Sequence, residues 1–191
     1  MLAVSGWADA RTILVLGDSI SAGYGLEKPE FGWVSLLREK VRPRGIEVAN
    51  ASISGETSAG GLSRLDALLE KHRPEIVVLE LGANDGLRGL PPKQLESNLG
   101  TAIRRSREAG AKVLLLGMKI PPNYGKRYTE LFEKVYPELA GNYGVALVPF
   151  LLDGVGGNDN LMQMDRIHPN RKAQGVLLDL VWEKLGPLLA Q

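Results

Sequence analysis

Residues 13–25 read ILVLGDSISAGYG. The four apolar residues 13–16 have the length and continuity of a strand covered on both faces, and such strands belong to parallel sheets flanked by helices. The run stops at Gly17 and passes at once into Asp18, Ser19 and Ser21. A buried strand ending this way puts small polar side chains at the carboxyl edge of its sheet, where open α/β sheets carry their sites.

The same alternation runs along the whole chain. After a first strand over residues 12–16, apolar runs predict strands over 46–49, 76–81, 112–118 and 145–148. Apolar residues at helical spacing predict helices over 31–41, 58–72, 92–108, 128–142 and 173–185. Pro43 to Gly45 and Pro74 close the first two of these. Five such alternations predict an α/β protein, a three-layer α/β/α sandwich with a five-stranded parallel sheet of flavodoxin-like type. The expected organisation is one domain over 11–191, preceded by a short tail over 1–10.

Composition narrows the function. The 191 residues carry 23 basic and 22 acidic side chains, a net charge of +1, so no overall field draws the chain to nucleic acid or to an anionic membrane. Without a cysteine there is no disulfide, no thiolate nucleophile and no Cys-ligated metal, and the redox compartment stays open. No apolar run is long enough to cross a membrane as a helix, so no stable insertion is expected. In the tail, Ala8-Asp9-Ala10 has the small-x-small form of an export-signal cleavage site. A remnant of such a signal and an unstructured tail are the two readings of residues 1–10.

Each strand end supplies polar residues: Gly17-Asp18-Ser19 after the first, the run from Asn50 to Thr57 after the second, Gly82 to Gly86 after the third, and Asp165 to Pro169 in a loop beyond the fifth. A serine hydroxyl becomes a useful nucleophile when a neighbouring histidine takes its proton. Only His72 and His168 are present. His72, in LLEKHRP (68–74), ends a predicted helix, where an imidazole beside the C-terminal dipole is ordinary structure. His168 follows Asp165 by three residues, so one turn brings a carboxylate to its ring to fix tautomer and orientation. The N–H of Ser19, the backbone at Gly55 and the side-chain amide of Asn84 are candidate donors to an oxyanion. Taken singly, Gly55 and Asn84 are equally ordinary loop residues. Asp18 is expected to hold its turn by accepting backbone N–H groups.

Together these positions resemble the four blocks of the SGNH (GDSL) hydrolase family: GDSI (17–20), Gly55, GAND (82–85) and DRIHP (165–169). The longer stretches GDSISAGYG, NASISGETSAGGLSRL, LELGANDGLRG and PPNYGKRY resemble its small bacterial subgroup of thioesterases, lysophospholipases and arylesterases. Ile20 stands where the family name has leucine. The resemblance implies a Ser-His-Asp triad of Ser19, His168 and Asp165, with Ser19, Gly55 and Asn84 forming the oxyanion hole. It implies hydrolysis of small-molecule acyl esters or thioesters through an acyl-enzyme. No cofactor or metal is expected, and the chain is expected to act as a monomer. Members of the subgroup are often exported, so the resemblance points to a periplasmic or secreted enzyme, with the cytoplasm as the alternative.

An acyl hydrolase also needs an apolar surface beside its serine. The loops after the third and fourth strands offer Leu87 and Leu90, and Ile120 and Tyr124. Gly86 and Gly89 are expected to let the first loop shift to fit different chains, while Pro121-Pro122 stiffens the facing wall. The competing reading is that the aliphatic residues plug the core below the site. A carbohydrate acetyl-esterase of the same family is the alternative activity, but the three tryptophans, one in the tail and two in predicted helices, offer no obvious sugar platform. Two other classes fit less well. A phosphate- or nucleotide-binding protein lacks both G-x-x-x-x-G-K-[ST] and G-x-G-x-x-G after a strand. A metal module built on DGVGGNDNLMQMD, with Asp153, Asp159 and Asp165 as ligands, lacks the spacing of a calcium loop.

Overall fold

The structure, a computed structural model, describes residues 11–190, so both readings of the tail over 1–10 lie outside the described residues. Five strands form one sheet: β1 Thr12–Gly17, β2 Glu47–Asn50, β3 Ile76–Glu80, β4 Lys112–Leu116 and β5 Ala146–Val148. Their order is β2-β1-β3-β4-β5 and every pairing is parallel. β1 and β3 lie at the centre with every residue buried, which is why both read as unbroken apolar runs.

Helices α2 Trp33–Val41 and α7 Gln174–Leu189 pack together in one layer, and α3 Ser58–His72, α5 Pro92–Glu108 and α6 Lys126–Tyr143 pack side by side in the other. The division follows from the strand order. The chain leaves β1 toward β2 in one direction and then makes its remaining crossovers in the opposite direction. Right-handed crossovers that run opposite ways place their helices on opposite faces. The reversal occurs between β1 and β3, and a crevice opens at their carboxyl ends.

Two short helices fill the rim of that crevice: α1 Ser19–Ala22 directly after β1 and α4 Ala83–Leu87 directly after β3. Neither shows as a helix in the sequence, because four or five residues are too few to display an apolar period. The last helix also outruns its predicted end, continuing through Gly186-Pro187 to Leu189. Gly86, expected as a hinge, packs instead: a Cβ there would stand 2.3 Å from Ile120 Cγ2 and 2.9 Å from the Phe132 ring. Gly89 has φ +65 and open space around it, so the loop's conformational freedom rests there.

Candidate active site

The turn from β1 into α1 is built around Gly17 and Asp18. A Cβ on Gly17 would meet Glu80 Oε2 at 2.6 Å and Ser21 Oγ at 2.8 Å, so only glycine lets the strand pass this close to its neighbours. Asp18 is the N-cap of α1, its Oδ1 accepting the Ile20 N–H at 3.0 Å. Ser19 is therefore the first residue of the helix, and its N–H has no intrahelical partner. Asn50 Nδ2 donates to the Ser21 carbonyl at 2.9 Å and braces α1 from the end of β2.

Ser19 Oγ lies 2.9 Å from His168 Nε2, and His168 Nδ1 lies 2.6 Å from Asp165 Oδ2. Asp165 Oδ1 accepts the backbone N–H groups of Ile167 and His168, each at 3.0 Å, and this closes the turn that the Asp-x-x-His spacing predicts. Arg166 within that turn takes a left-handed φ of 57. Partial burial pushes the Asp165 carboxyl up, but the bonds from the His168 ring, the His168 backbone and the Ile167 N–H outweigh it and leave its pKa below the usual range. An ionised carboxylate only accepts, so Nδ1 carries the imidazole proton and Nε2 is free to accept from Ser19.

The histidine loop is braced by residues the sequence reading did not single out. Gln163 Nε2 donates to the Tyr24 and Pro169 carbonyls at 2.8 and 3.0 Å, and the Gln163 N–H donates to the His168 carbonyl at 2.8 Å. The Tyr24 ring lies against the imidazole, centroids 4.6 Å apart. Tyr24 lies within the GDSISAGYG stretch, but nothing in the sequence ties it or Gln163 to His168; their roles arise only when the β1–α1 turn and the C-terminal loop meet.

The other rim contributes donors. Asn84, in α4, gives one Nδ2 proton to Asp18 Oδ2 at 3.1 Å, and a carboxamide has a second. Gly55 has φ +80, and Arg88 Nη2 donates to its carbonyl at 2.9 Å. Asp85 ties these segments together, its buried carboxylate accepting the Ser58 N–H at 2.8 Å as well as the Ser58 hydroxyl. The Ile53 N–H donates to the Gly17 carbonyl at 3.1 Å, which keeps the Gly55 loop beside the end of β1. His72, at the other end of α3, lies outside this assembly.

A cavity of about 410 Å³ opens beside the serine, walled by Ile20, Ala83, Leu87, Met118, Ile120 and Ile167 among others. Three of these adjoin Ser19, Asn84 and His168 in sequence. Leu90 and Tyr124 are not among the lining residues. Tyr124 Oη donates to the Leu87 carbonyl at 2.8 Å and Tyr128 Oη to the Leu90 carbonyl at 2.6 Å, so this pair holds the wall from behind. A separate depression of about 520 Å³ over α3 and α5, bordered by Asp66 and Arg105, contains none of these groups. Two of the three aspartates of the metal alternative are otherwise engaged: Asp159 pairs with Arg166 at 3.3 Å and Asp165 with His168. Of the two described tryptophans, Trp33 is buried and Trp182 lies under Lys40 and Arg44.

The chain is 55% identical to esterase TesA of Pseudomonas aeruginosa over 184 residues, 95% of this chain and 91% of that one. It is 46% identical to thioesterase 1/protease 1/lysophospholipase L1 of Escherichia coli strain K12 over 182 residues, 95% and 86% of the two chains. The crystal structure of TesA, at 54% identity, superposes with a TM-score of 0.89 over 93% of this chain and 99% of that one. The sequence pattern of the GDSL-like lipase/acylhydrolase family matches residues 15–176, a span that begins within β1 and ends within α7. With that span and these relatives, the chain belongs to the GDSL-like lipase/acylhydrolase family.

Proposed function

We propose that this chain hydrolyses acyl esters and thioesters through an acyl-enzyme on Ser19. The observation that carries the reading is the imidazole of His168, set between Ser19 Oγ at 2.9 Å and Asp165 Oδ2 at 2.6 Å. As Ser19 Oγ attacks the carbonyl carbon, its proton passes to Nε2, and Asp165 stabilises the imidazolium. The Ser19 N–H, the Gly55 N–H and the free Asn84 amide proton receive the oxyanion of the tetrahedral intermediate. Nε2 then returns the proton to the departing alcohol or thiol as the bond to the acyl carbon breaks. Water repeats the sequence, with His168 as its base, and releases the acid.

Leu87 and Ile120 line the acyl groove, while Leu90 and Tyr124 support it. The aliphatic walls favour a hydrocarbon chain over a sugar, since neither described tryptophan reaches the groove. Every group in the scheme comes from one chain, so a monomer suffices for it. The small-x-small stretch Ala8–Ala10 supports export to the periplasm, and fractionation of cells expressing the full chain checks it. Mass spectrometry after treatment with a fluorophosphonate tests the central claim. One adduct on Ser19, absent from Ser19→Ala, is expected; a labelled, active Ser19→Ala enzyme overturns it.

A further inference from the structure

Glu80 is the last residue of β3, directly across the sheet from Gly17, and it is fully buried. Its Oε2 accepts two hydrogen bonds, from the Asp18 N–H at 3.1 Å and from Ser21 Oγ at 2.7 Å. The two donors flank Ser19 in sequence. Gly17 leaves the space this requires, because a Cβ there would intrude on the same oxygen. The other oxygen, Oε1, is buried and receives no hydrogen bond from the described residues. Among those residues no lysine, arginine or histidine forms an ion pair with Glu80.

A carboxylate without a counter-ion in the protein interior is costly, and a proton removes the cost. Oε2 is taken by two donors, which leaves Oε1 as the oxygen for that proton. The titratable groups facing Glu80 reinforce the choice. Asp18, from the β1–α1 turn, is a second buried carboxyl, and two neighbouring carboxyls resist ionising together. Tyr136, from α6, gives its hydroxyl hydrogen to the Leu81 carbonyl at 3.1 Å and supplies no positive charge. Burial first, and the Asp18 charge second, push the Glu80 carboxyl well above the usual range. His168 is near enough to act on Asp18, and favours ionisation there.

We propose that Glu80, protonated and uncharged, is a positioning residue: it clamps the Asp18–Ser21 turn from below and thereby aims the Ser19 hydroxyl and N–H at the substrate carbonyl. Glu80 touches no reacting atom. Its effect rests on Ser19 being the nucleophile, and it passes through the two backbone and side-chain donors on either side of that residue. Neutrality is the essential property, because an ionised Glu80 beside Asp18 would push the turn away.

Glutamine keeps the acceptor and cannot ionise. Glu80→Gln is therefore expected to hold kcat within about threefold of wild type at neutral pH, while Glu80→Leu, which strands two buried donors, loses kcat by about tenfold or more with KM changed less than about threefold. At alkaline pH, any fall in kcat that comes from Glu80 ionising is absent from Glu80→Gln. A glutamine variant as impaired as the leucine variant overturns the proposal, and so does full activity in Glu80→Leu. Should Glu80→Leu fail to fold, infrared difference spectra decide. A protonated-carboxyl band at pH 8 present in wild type and absent from Glu80→Gln is expected, and identical spectra overturn the proposal. Fluorophosphonate labelling of wild-type Ser19 is measured in parallel. Its absence would defeat the assignment of the nucleophile, whereas labelling with no carboxyl band would defeat only the role of Glu80.

Discussion

Asn84 Nδ2 donates to Asp18 Oδ2 at 3.1 Å, while Oδ1 of the same carboxylate accepts the Ile20 N–H at 3.0 Å. One buried side chain thus joins the turn that carries Ser19 to the helix that carries Asn84. The join explains why an aspartate is held in the interior, where burial raises its pKa to about 6 against the pull of the Ile20 N–H, His168, Glu80 and Asn84.

Asp18→Asn tests the join directly. An asparagine can cap Ile20 with its oxygen, but it then turns an NH₂ toward Asn84, donor against donor. We expect kcat to fall about tenfold or more, with a smaller change in KM. Stability should move the other way. A carboxyl whose folded pKa is raised contributes stability that is complete below its unfolded value and is lost as pH rises through the folded value. Between the ordinary aspartate value of 3.8 and about 6, then, wild type progressively loses stability that the neutral variant does not. The difference is on the order of 2–3 kcal/mol at most, since one pKa unit corresponds to about 1.4 kcal/mol. Urea unfolding of both proteins at pH 4 and pH 8 measures it. A wild type that gains on the variant over this range would refute the burial argument.

Asn84→Ala removes the proposed oxyanion donor, whose contribution would come as charge develops on the carbonyl oxygen. The expected loss is about 10²–10³ in kcat with little change in KM. A rise confined to KM would make Asn84 a ground-state binding residue. Asp18 also loses a hydrogen bond in this variant, so Asn84→Ala and Asp18→Asn should be strongly non-additive in kcat.

The two histidines separate function from structure. His168→Ala should lose nearly all ester hydrolysis, while His72→Ala, at the remote end of α3, stays near wild type. Asp165→Asn offers one oxygen where the structure uses two, one for the His168 ring and one for two backbone N–H groups. We expect kcat to drop by about 10²–10⁴, with residual turnover because the oxyanion donors remain. Steady-state kinetics on a short aryl ester distinguishes these outcomes; a fully active Asp165→Asn would sever Asp165 from the chemistry.

Much of this could be read in the chain before the structure. Continuous burial wrote β1 and β3 as unbroken aliphatic runs, and the turn needed by Asp165 and His168 wrote itself as a three-residue spacing. Glu80 shows where reading stops. In IVVLEL (76–81) it looks like a charge closing a strand, and its burial follows from Gly17 and Ser21, which lie 63 and 59 residues away in sequence. Gly86 fails for a related reason: flexibility and close packing both call for glycine, and only the position of Ile120 tells them apart. Tyr24 likewise reaches His168 across the fold, with no local pattern to announce the contact.

The acyl groove gives the last prediction. Leu87 and Ile120 both line the cavity, but they differ in what else they do. Ile120 is only 6% exposed and fills the space left by Gly86, so a polar replacement there also disturbs the core. Leu87 is half-buried, and Tyr124 holds it through its carbonyl, which substitution leaves in place. Leu87→Gln therefore changes the wall with little change to the fold. Each substrate methylene buried against this wall contributes up to about 0.8 kcal/mol, roughly a fourfold factor in kcat/KM. The variant should accordingly lose progressively more kcat/KM as the acyl chain lengthens, while acetyl and butyryl esters stay within about threefold of wild type. Ile120→Thr should show the same slope together with a lowered Tm. A chain-length series of p-nitrophenyl esters on the folded variants checks both. A loss equal at every length would place Leu87 outside the acyl path and return it to the core.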